Sequence, residues 1–217
     1  MKQNKIVVII PHGDDEVLGF GGTIIKHTRN GDVVDVIFVK TSYNERSSLQ
    51  LTHTQASANL IGFNPLYLHI TPTKLANFNL ETLQCIEAEL IKLKPDILYT
   101  AHPGDVHQDH VSLFNYIKIS TRINGPIPVP KILCGEIISS TSSGINLGNF
   151  FQPNHYEILT LEDVLKKQKA LEKYSFELCK FPHARSKEGI MIHAQKRGME
   201  AGSLYAEAFQ SLRYINL

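Results

Sequence analysis

The sequence predicts a three-layer α/β/α domain built on a mostly parallel sheet. Two observations carry that expectation. Apolar, β-branched runs alternate along the chain with segments of helical periodicity. The first three of these elements fit within about 35 residues as a βαβ unit, whose strands lie parallel with a right-handed crossover. At 217 residues, without repeat, linker or low-complexity tract, residues 1–217 are expected to form one domain around one core.

Ile6-Val7-Val8-Ile9-Ile10 is a continuous β-branched run stopped by Pro11, as a strand buried on both faces should read. Val17 to about Arg29 turns helical, and Asn30-Gly31-Asp32 closes it. Val33 to Val39 is a second buried strand. Ser47 to Leu60 reads as a helix ended by Gly62, with a short strand at Leu66 to His69. Leu80 to Leu93 carries apolar residues at helical spacing and stops before Lys94-Pro95. Asp96 to Thr100 is the next strand, and His110 to about Thr121 the next helix. A proline-rich loop at Asn124 to Pro130 leads to a strand at Ile132 to Ser139. Tyr156 to Leu159 is a short edge strand, and Leu161 to Lys173 and Ser186 to Tyr205 are the last helices.

Composition excludes several classes. Apolar residues make up 42% and charged residues 20%, the profile of a globular protein. Lys plus Arg is 22 against 21 for Asp plus Glu, so no global field favours nucleic acid or an anionic membrane. Cys85, Cys134 and Cys179 are scattered, which reads as reduced thiols of a cytoplasmic protein. The first apolar stretch is too short for a signal peptide or a stable membrane insertion.

Histidine is the unusual residue, with ten present. In parallel sheets ligands sit beyond the carboxyl ends of the strands, near the switch in strand order. Pro11-His12-Gly13-Asp14-Asp15-Glu16 follows the first strand directly. The segment from Ala101 to His110, ending His107-Gln108-Asp109-His110, follows the fourth. His107 and His110 are three apart at a helix start and so share a face. Two unconnected segments thus deliver imidazoles and carboxylates to one sheet edge. Catalytic zinc takes three ligands from His and Asp/Glu and keeps a position open for water. A further carboxylate must accept that water's proton, and a donor must meet the oxyanion.

Both motifs resemble those of the PIG-L/LmbE family of N-acetylglucosaminyl deacetylases, P-H-x-D-D-E after the first strand and H-x-D-H after a later one. Leu18-Gly19-Phe20-Gly21-Gly22 is similar to that family's glycine-rich first helix. Phe181 to Ser186 and Arg197-Gly198 through Phe209 resemble the C-terminal part of its bacterial branch. The resemblance implies a Rossmann-like fold, His12, Asp15 and His110 as metal ligands, and Asp14 as general base. It implies a protonated His107 on the oxyanion, with Asp109 tuning its orientation and charge. Arg46, His183 and Arg185 would bind substrate. Zinc is the implied ion, and two His with one carboxylate also suit Fe(II). The implied partner is a small N-acetylated sugar or sugar conjugate; relatives of this kind often assemble as trimers or hexamers. Gly13 stands where the family usually has proline, and Thr52 to Gln55 offers none of the acidic residues that many relatives carry there.

Simpler readings stand beside these. Asp14 or Asp15 would serve as an ordinary N-cap of the helix near Val17. Asp109 and Glu16 would serve as first-turn carboxylates favoured by the helix dipole, Asp105 as a turn residue and His102 as a structural one. Gly19 to Gly22 lacks the spacing of a dinucleotide loop and fits close helix–sheet packing. The rival functions are a non-catalytic sugar- or metal-binding protein on the same fold, and an oxidoreductase that lacks its phosphate loop.

Overall fold

A run of six residues, Lys5–Ile10, forms β1 near the middle of a seven-stranded sheet. The structure, a computed structural model, describes residues 3–40, 45–143 and 148–216. The β-branched run is continuous because both sides of the strand are buried. Ile6, Val8 and Ile10 point into one core cluster, Val7 and Ile9 into the other, the period-two alternation of a strand. Each such buried side chain contributes about 1.5–3 kcal/mol relative to exposure.

The strand order is β3-β2-β1-β4-β5-β7-β6. β2 (Val33–Lys40), β3 (Asn64–Ile70), β4 (Ile97–Ala101) and β5 (Lys131–Gly135) join β1 in parallel pairing. β7 (Ala206–Tyr214) runs antiparallel between β5 and β6 (His155–Ile158). The chain builds outward from β1 to β2 and β3, then returns to lay β4 against the other side of β1. The crevice above β1 and β4 is therefore the switch point, and the two histidine-bearing segments leave from those two strands.

One core cluster joins the sheet to α1 (Asp15–Arg29), α2 (Glu45–Ile61), α6 (Leu161–Leu171) and α7 (Lys187–Glu200). The other joins its opposite face to α3 (Pro72–Ala76), α4 (Leu80–Leu93) and α5 (Gln108–Ser120). This is the expected three-layer mixed α/β domain. Among the described residues no helix is long and apolar enough to cross a membrane.

The glycines of α1 serve close packing, as expected. A Cβ on Gly22 would stand 2.3 Å from Leu159 Cδ1 and 3.0 Å from Glu207 Oε1. That closeness lets Glu207 of β7 accept the Gly22 and Thr23 N–H groups at 2.8 and 2.7 Å.

Three expectations need correction. The strand at Ile132 ends at Gly135, because Glu136 turns away to meet Arg197 at 2.6 Å and Ser139 adopts a positive φ of 82°. The last helix stops at Glu200 rather than Tyr205; a turn with Gly202 at φ 67° follows it. That turn leads into β7, where no strand was expected. α3 is a further short helix the sequence did not announce; Thr71 caps it and Pro72 occupies its first turn.

Candidate active site

β1 ends at Ile10, and Pro11 lifts the chain off the sheet, leaving His12 to Asp15 at its carboxyl edge. α1 begins at Asp15 with Asp14 in the N-cap position, but the Asp14 side chain makes no capping bond. Its backbone instead sits at φ 102°, ψ −31°, a conformation a non-glycine residue adopts only under constraint. The simple capping reading is thereby excluded for Asp14. Glu16, buried beneath it, holds the Asp14 N–H at 2.9 Å and receives hydroxyl bonds from Tyr174 and Ser57.

After β4, the turn from His102 to His107 brings α5 to the same edge. His107 caps α5 through its ring, Nδ1 accepting the Asp109 N–H at 3.2 Å. His110, one turn into the helix, is buried. The rings of His12, His107 and His110 converge, with centroids 4.6 Å apart for His12 and His107, 5.0 Å for His107 and His110 and 5.6 Å for His12 and His110.

The two segments meet on a single oxygen. Asp15 Oδ2 lies 3.1 Å from His12 Nδ1 and 3.1 Å from His110 Nε2. In a tetrahedral zinc site with bonds of roughly 2.0–2.1 Å, ligand atoms stand about 3.3 Å apart. The donor set therefore fits a divalent cation. One nitrogen from each of His12, His107 and His110 also lies within 4.8 Å of the others, so the three imidazoles ring one small volume.

Carboxylates hold these imidazoles from behind, an arrangement that fixes the ring and tautomer of a metal-binding histidine. Asp109 Oδ2 lies 2.8 Å from His12 Nε2 and accepts from Lys40 Nζ at 2.6 Å. Asp105 Oδ2 lies 3.1 Å from His110 Nδ1, close enough for charge attraction though too oblique for a strong hydrogen bond. Sequence reasoning missed both Lys40 and Asp105. Lys40 ends β2, and its N–H bonds Pro11 O at 3.1 Å, so strand register delivers it beside His12. Asp105 sits five residues before His110 in the same motif segment, the one signal in the sequence that points to it.

Charge follows from this geometry. Burial pushes the Asp14 carboxyl well above the ordinary carboxylate range; the negative charge of Asp15 adds to this, and Arg185 opposes it. Burial works the same way on Asp15, but His110 and His12 outweigh it and hold the carboxylate charged. Against the desolvation that would lower it, His12 is raised to about 9 by Asp109 and Asp15. His107 goes the other way, lowered by burial and by its two histidine neighbours. With Nδ1 accepting the Asp109 N–H, a neutral ring would carry its proton on Nε2. Asp109 faces both rings: its carboxylate lies 2.8 Å from His12 Nε2 and 4.0 Å from His107 Nδ1, and its backbone N–H donates to His107 Nδ1.

Of the residues expected to bind substrate, Arg185 reaches the site. Its Nη1 donates to Asp14 Oδ2 at 3.1 Å and to Glu177 Oε2 at 2.8 Å, and its Nε to Ser139 Oγ at 2.7 Å. His183 is exposed, its Nδ1 accepting the Arg185 N–H at 3.1 Å, and so shapes that loop. The Arg46 side chain lies outside the described residues. His102 is structural: Nδ1 accepts the Gly104 N–H and Nε2 faces Gln210.

The PIG-L family model, described as GlcNAc-PI de-N-acetylase, matches residues 7–119, a stretch that includes both motif segments and more than half of the chain. The chain belongs to the PIG-L family. This PIG-L chain is 24% identical over 182 residues to the uncharacterized deacetylase YaiS of Escherichia coli (strain K12), covering 80% of this chain and 91% of YaiS. Its fold is similar to that of the N,N'-diacetylchitobiose deacetylase from Pyrococcus horikoshii, with TM-score 0.73 at 20% identity over 96% of this chain and 84% of that one. It is equally similar to GalB, the 4-carboxy-2-hydroxymuconate hydratase from Pseudomonas putida KT2440, with TM-score 0.74 at 15% identity over 100% and 98% of the two chains. The shared architecture thus carries a hydratase as well as deacetylases, and the reaction has to be argued from the site.

Proposed function

We propose that this chain is a divalent-metal-dependent hydrolase that removes the acetyl group from an N-acetylated amino sugar or its conjugate. The observation that carries the reading is the convergence of His12 Nδ1 and His110 Nε2 on Asp15 Oδ2, each at 3.1 Å, at the switch point of a PIG-L sheet. His12, Asp15 and His110 would hold the ion, with His107 facing the same volume. Zinc is the ion favoured by the family resemblance, and Fe(II) suits the same donors. Bound there, the ion supplies Lewis acidity, lowering the pKa of a water to roughly 7 and polarising the acetamide carbonyl.

The chain's own groups do the rest. Asp14 accepts the proton of the attacking water, and its elevated proton affinity suits that task. As the C–N bond breaks, Asp14 passes that proton to the departing amine, so that acetate and a free amino sugar leave. His107 donates from Nε2 to the oxyanion. Asp109 keeps His12 in the orientation that presents Nδ1, and Lys40 holds Asp109. Arg185 fixes the Asp14 carboxylate and, with His183 and Arg46, is assigned to the sugar side of the site.

An acetate-release assay across N-acetylated sugars and their conjugates tests the reading, together with elemental analysis and reconstitution by each ion. Asp14→Asn is expected to lose roughly 10²–10⁴ in kcat while retaining bound metal. Near-normal turnover in that variant would remove Asp14 from the mechanism.

A further inference from the structure

The turn after β5 carries three hydroxyl residues in a row, Ser139-Ser140-Thr141, and all three end on charged groups at the active site. Ser140 Oγ and Thr141 Oγ1 donate to Asp105 Oδ2 at 2.8 and 2.5 Å. Ser139 Oγ faces another way and accepts from Arg185 Nε at 2.7 Å. A change of direction within the turn allows that divergence. The Ser140 N–H bonds Ile137 O at 3.1 Å, and Ser139 has a φ of 82°. This is the third position of a type II turn, where glycine is the usual residue. A serine there carries backbone strain that glycine would not. The far end of the same run of contacts is strained too. Asp14, at φ 102°, accepts from Arg185 Nη1 at 3.1 Å. Among the described residues four non-glycine residues adopt positive φ, and two of them, Asp14 and Ser139, have side chains that meet on one guanidinium. Of the other two, Lys94 caps α4 and His69 lies in β3.

We propose that Ser139 is a positioning residue: it holds the guanidinium of Arg185 by Nε, so that Nη1 is aimed at the Asp14 carboxylate. The role of Asp14 in this statement rests on the function proposed above; the grip of Ser139 on Arg185 does not. The reason is geometric. A planar guanidinium held only at Nη1 swings about that contact on a long, flexible stem, and a second acceptor at Nε fixes its plane. Nη1 also donates to Glu177 Oε2 at 2.8 Å, so two carboxylates compete for one nitrogen. Ser139 opposes the rotation that would leave Arg185 to Glu177 alone. The backbone of Arg185 is fixed within its own loop: its N–H donates to His183 Nδ1 at 3.1 Å, and its carbonyl accepts the Cys179 N–H at 3.1 Å. Ser139 adds the restraint on the side chain, and it does so from a distant segment of the chain.

The test compares Ser139→Ala with Ser139→Gly. Both remove the hydroxyl, but only the alanine keeps the Cβ that makes a positive φ unfavourable. In acetate release both are expected to lose about 10–100-fold in kcat, the size of a hydrogen bond to a charged group. The glycine variant is expected to have the higher urea midpoint of the two. Activity then follows the hydroxyl and stability the Cβ, a separation that a merely structural serine would not give. A readout free of turnover is the Nε–H resonance of Arg185 in ¹H–¹⁵N spectra, assigned by its loss in Arg185→Lys. Its exchange with solvent is expected to be roughly tenfold faster in both variants than in the unaltered chain. A kcat in Ser139→Gly within twofold of the unaltered chain, or Nε–H exchange unchanged in both variants, overturns the proposal. An unaltered chain that releases no acetate from any N-acetylated sugar overturns the function proposed above instead, and the Nε–H exchange still decides whether Ser139 holds Arg185.

Discussion

Asp14 shows how one residue can be placed against its own preference. Its φ of 102° costs on the order of 1–3 kcal/mol for a side chain with a Cβ. In return the carboxylate leaves the capping position and reaches Arg185. Asp14→Gly is therefore expected to be more stable than Asp14→Ala by about 1 kcal/mol, because the two differ only by the atom that makes a positive φ unfavourable. Denaturant melts of the pair check this, and the reverse order would mean that the turn relaxes. The six residues of the two motifs were legible because packing alone seldom puts histidines and carboxylates in fixed spacing at the ends of buried strands. Lys40 and Asp105 were not. A lysine ending a strand and an aspartate following Gly104 each have an ordinary local reading. Only the β1–β2 register and the return of the 137–141 loop turn them toward the histidines.

The β6 strand carries an acid-sensitive contact. Glu157 receives Lys26 Nζ at 2.7 Å and faces His155 Nε2 at 2.9 Å. Burial opposes the shift, but His155 and Lys26 pull its carboxyl down from the ordinary 4.5 to about 2. The folded chain thus keeps this group charged where the unfolded chain would take up a proton. Its contribution is complete above pH ~4.5 and disappears as pH falls through about 2, an upper bound of about 3 kcal/mol. Urea melts at neutral pH and near pH 3 should show Glu157→Gln losing less stability on acidification than the unaltered chain. Most elements were readable from period and punctuation, but β7 was not. Ala206-Glu207-Ala208-Phe209-Gln210 has the propensities of a helix. It becomes a strand because β5 and β6 both offer it ladder partners and because Glu207 finds Lys167 and two helix N–H groups there. Tertiary context outweighs propensity at such positions.

At the scale of the whole molecule, the Lys167–Glu207 pair joins α1, α6 and β7. Lys167 Nζ bonds Glu207 Oε1 at 2.7 Å and Leu18 O at 3.0 Å, with both side chains 4% exposed. Lys167→Met is expected to cost about 3–5 kcal/mol, since it leaves a buried carboxylate without its counter-charge. Calorimetric or denaturant unfolding measures it. A loss below about 1 kcal/mol would mean that the two helix N–H groups suffice for Glu207. The placement of β7 also has a consequence for how the molecule is made. The last strand in chain order is not at the sheet's rim but sits between two strands synthesised well before it. While residues 206–214 are still inside the ribosome, β6 has nothing to pair with and β5 presents a bare edge. The five parallel strands can assemble during translation. The β5–β7–β6 flank has to wait for residues 206–214 to emerge, and until then its open edge needs shielding from neighbouring nascent chains.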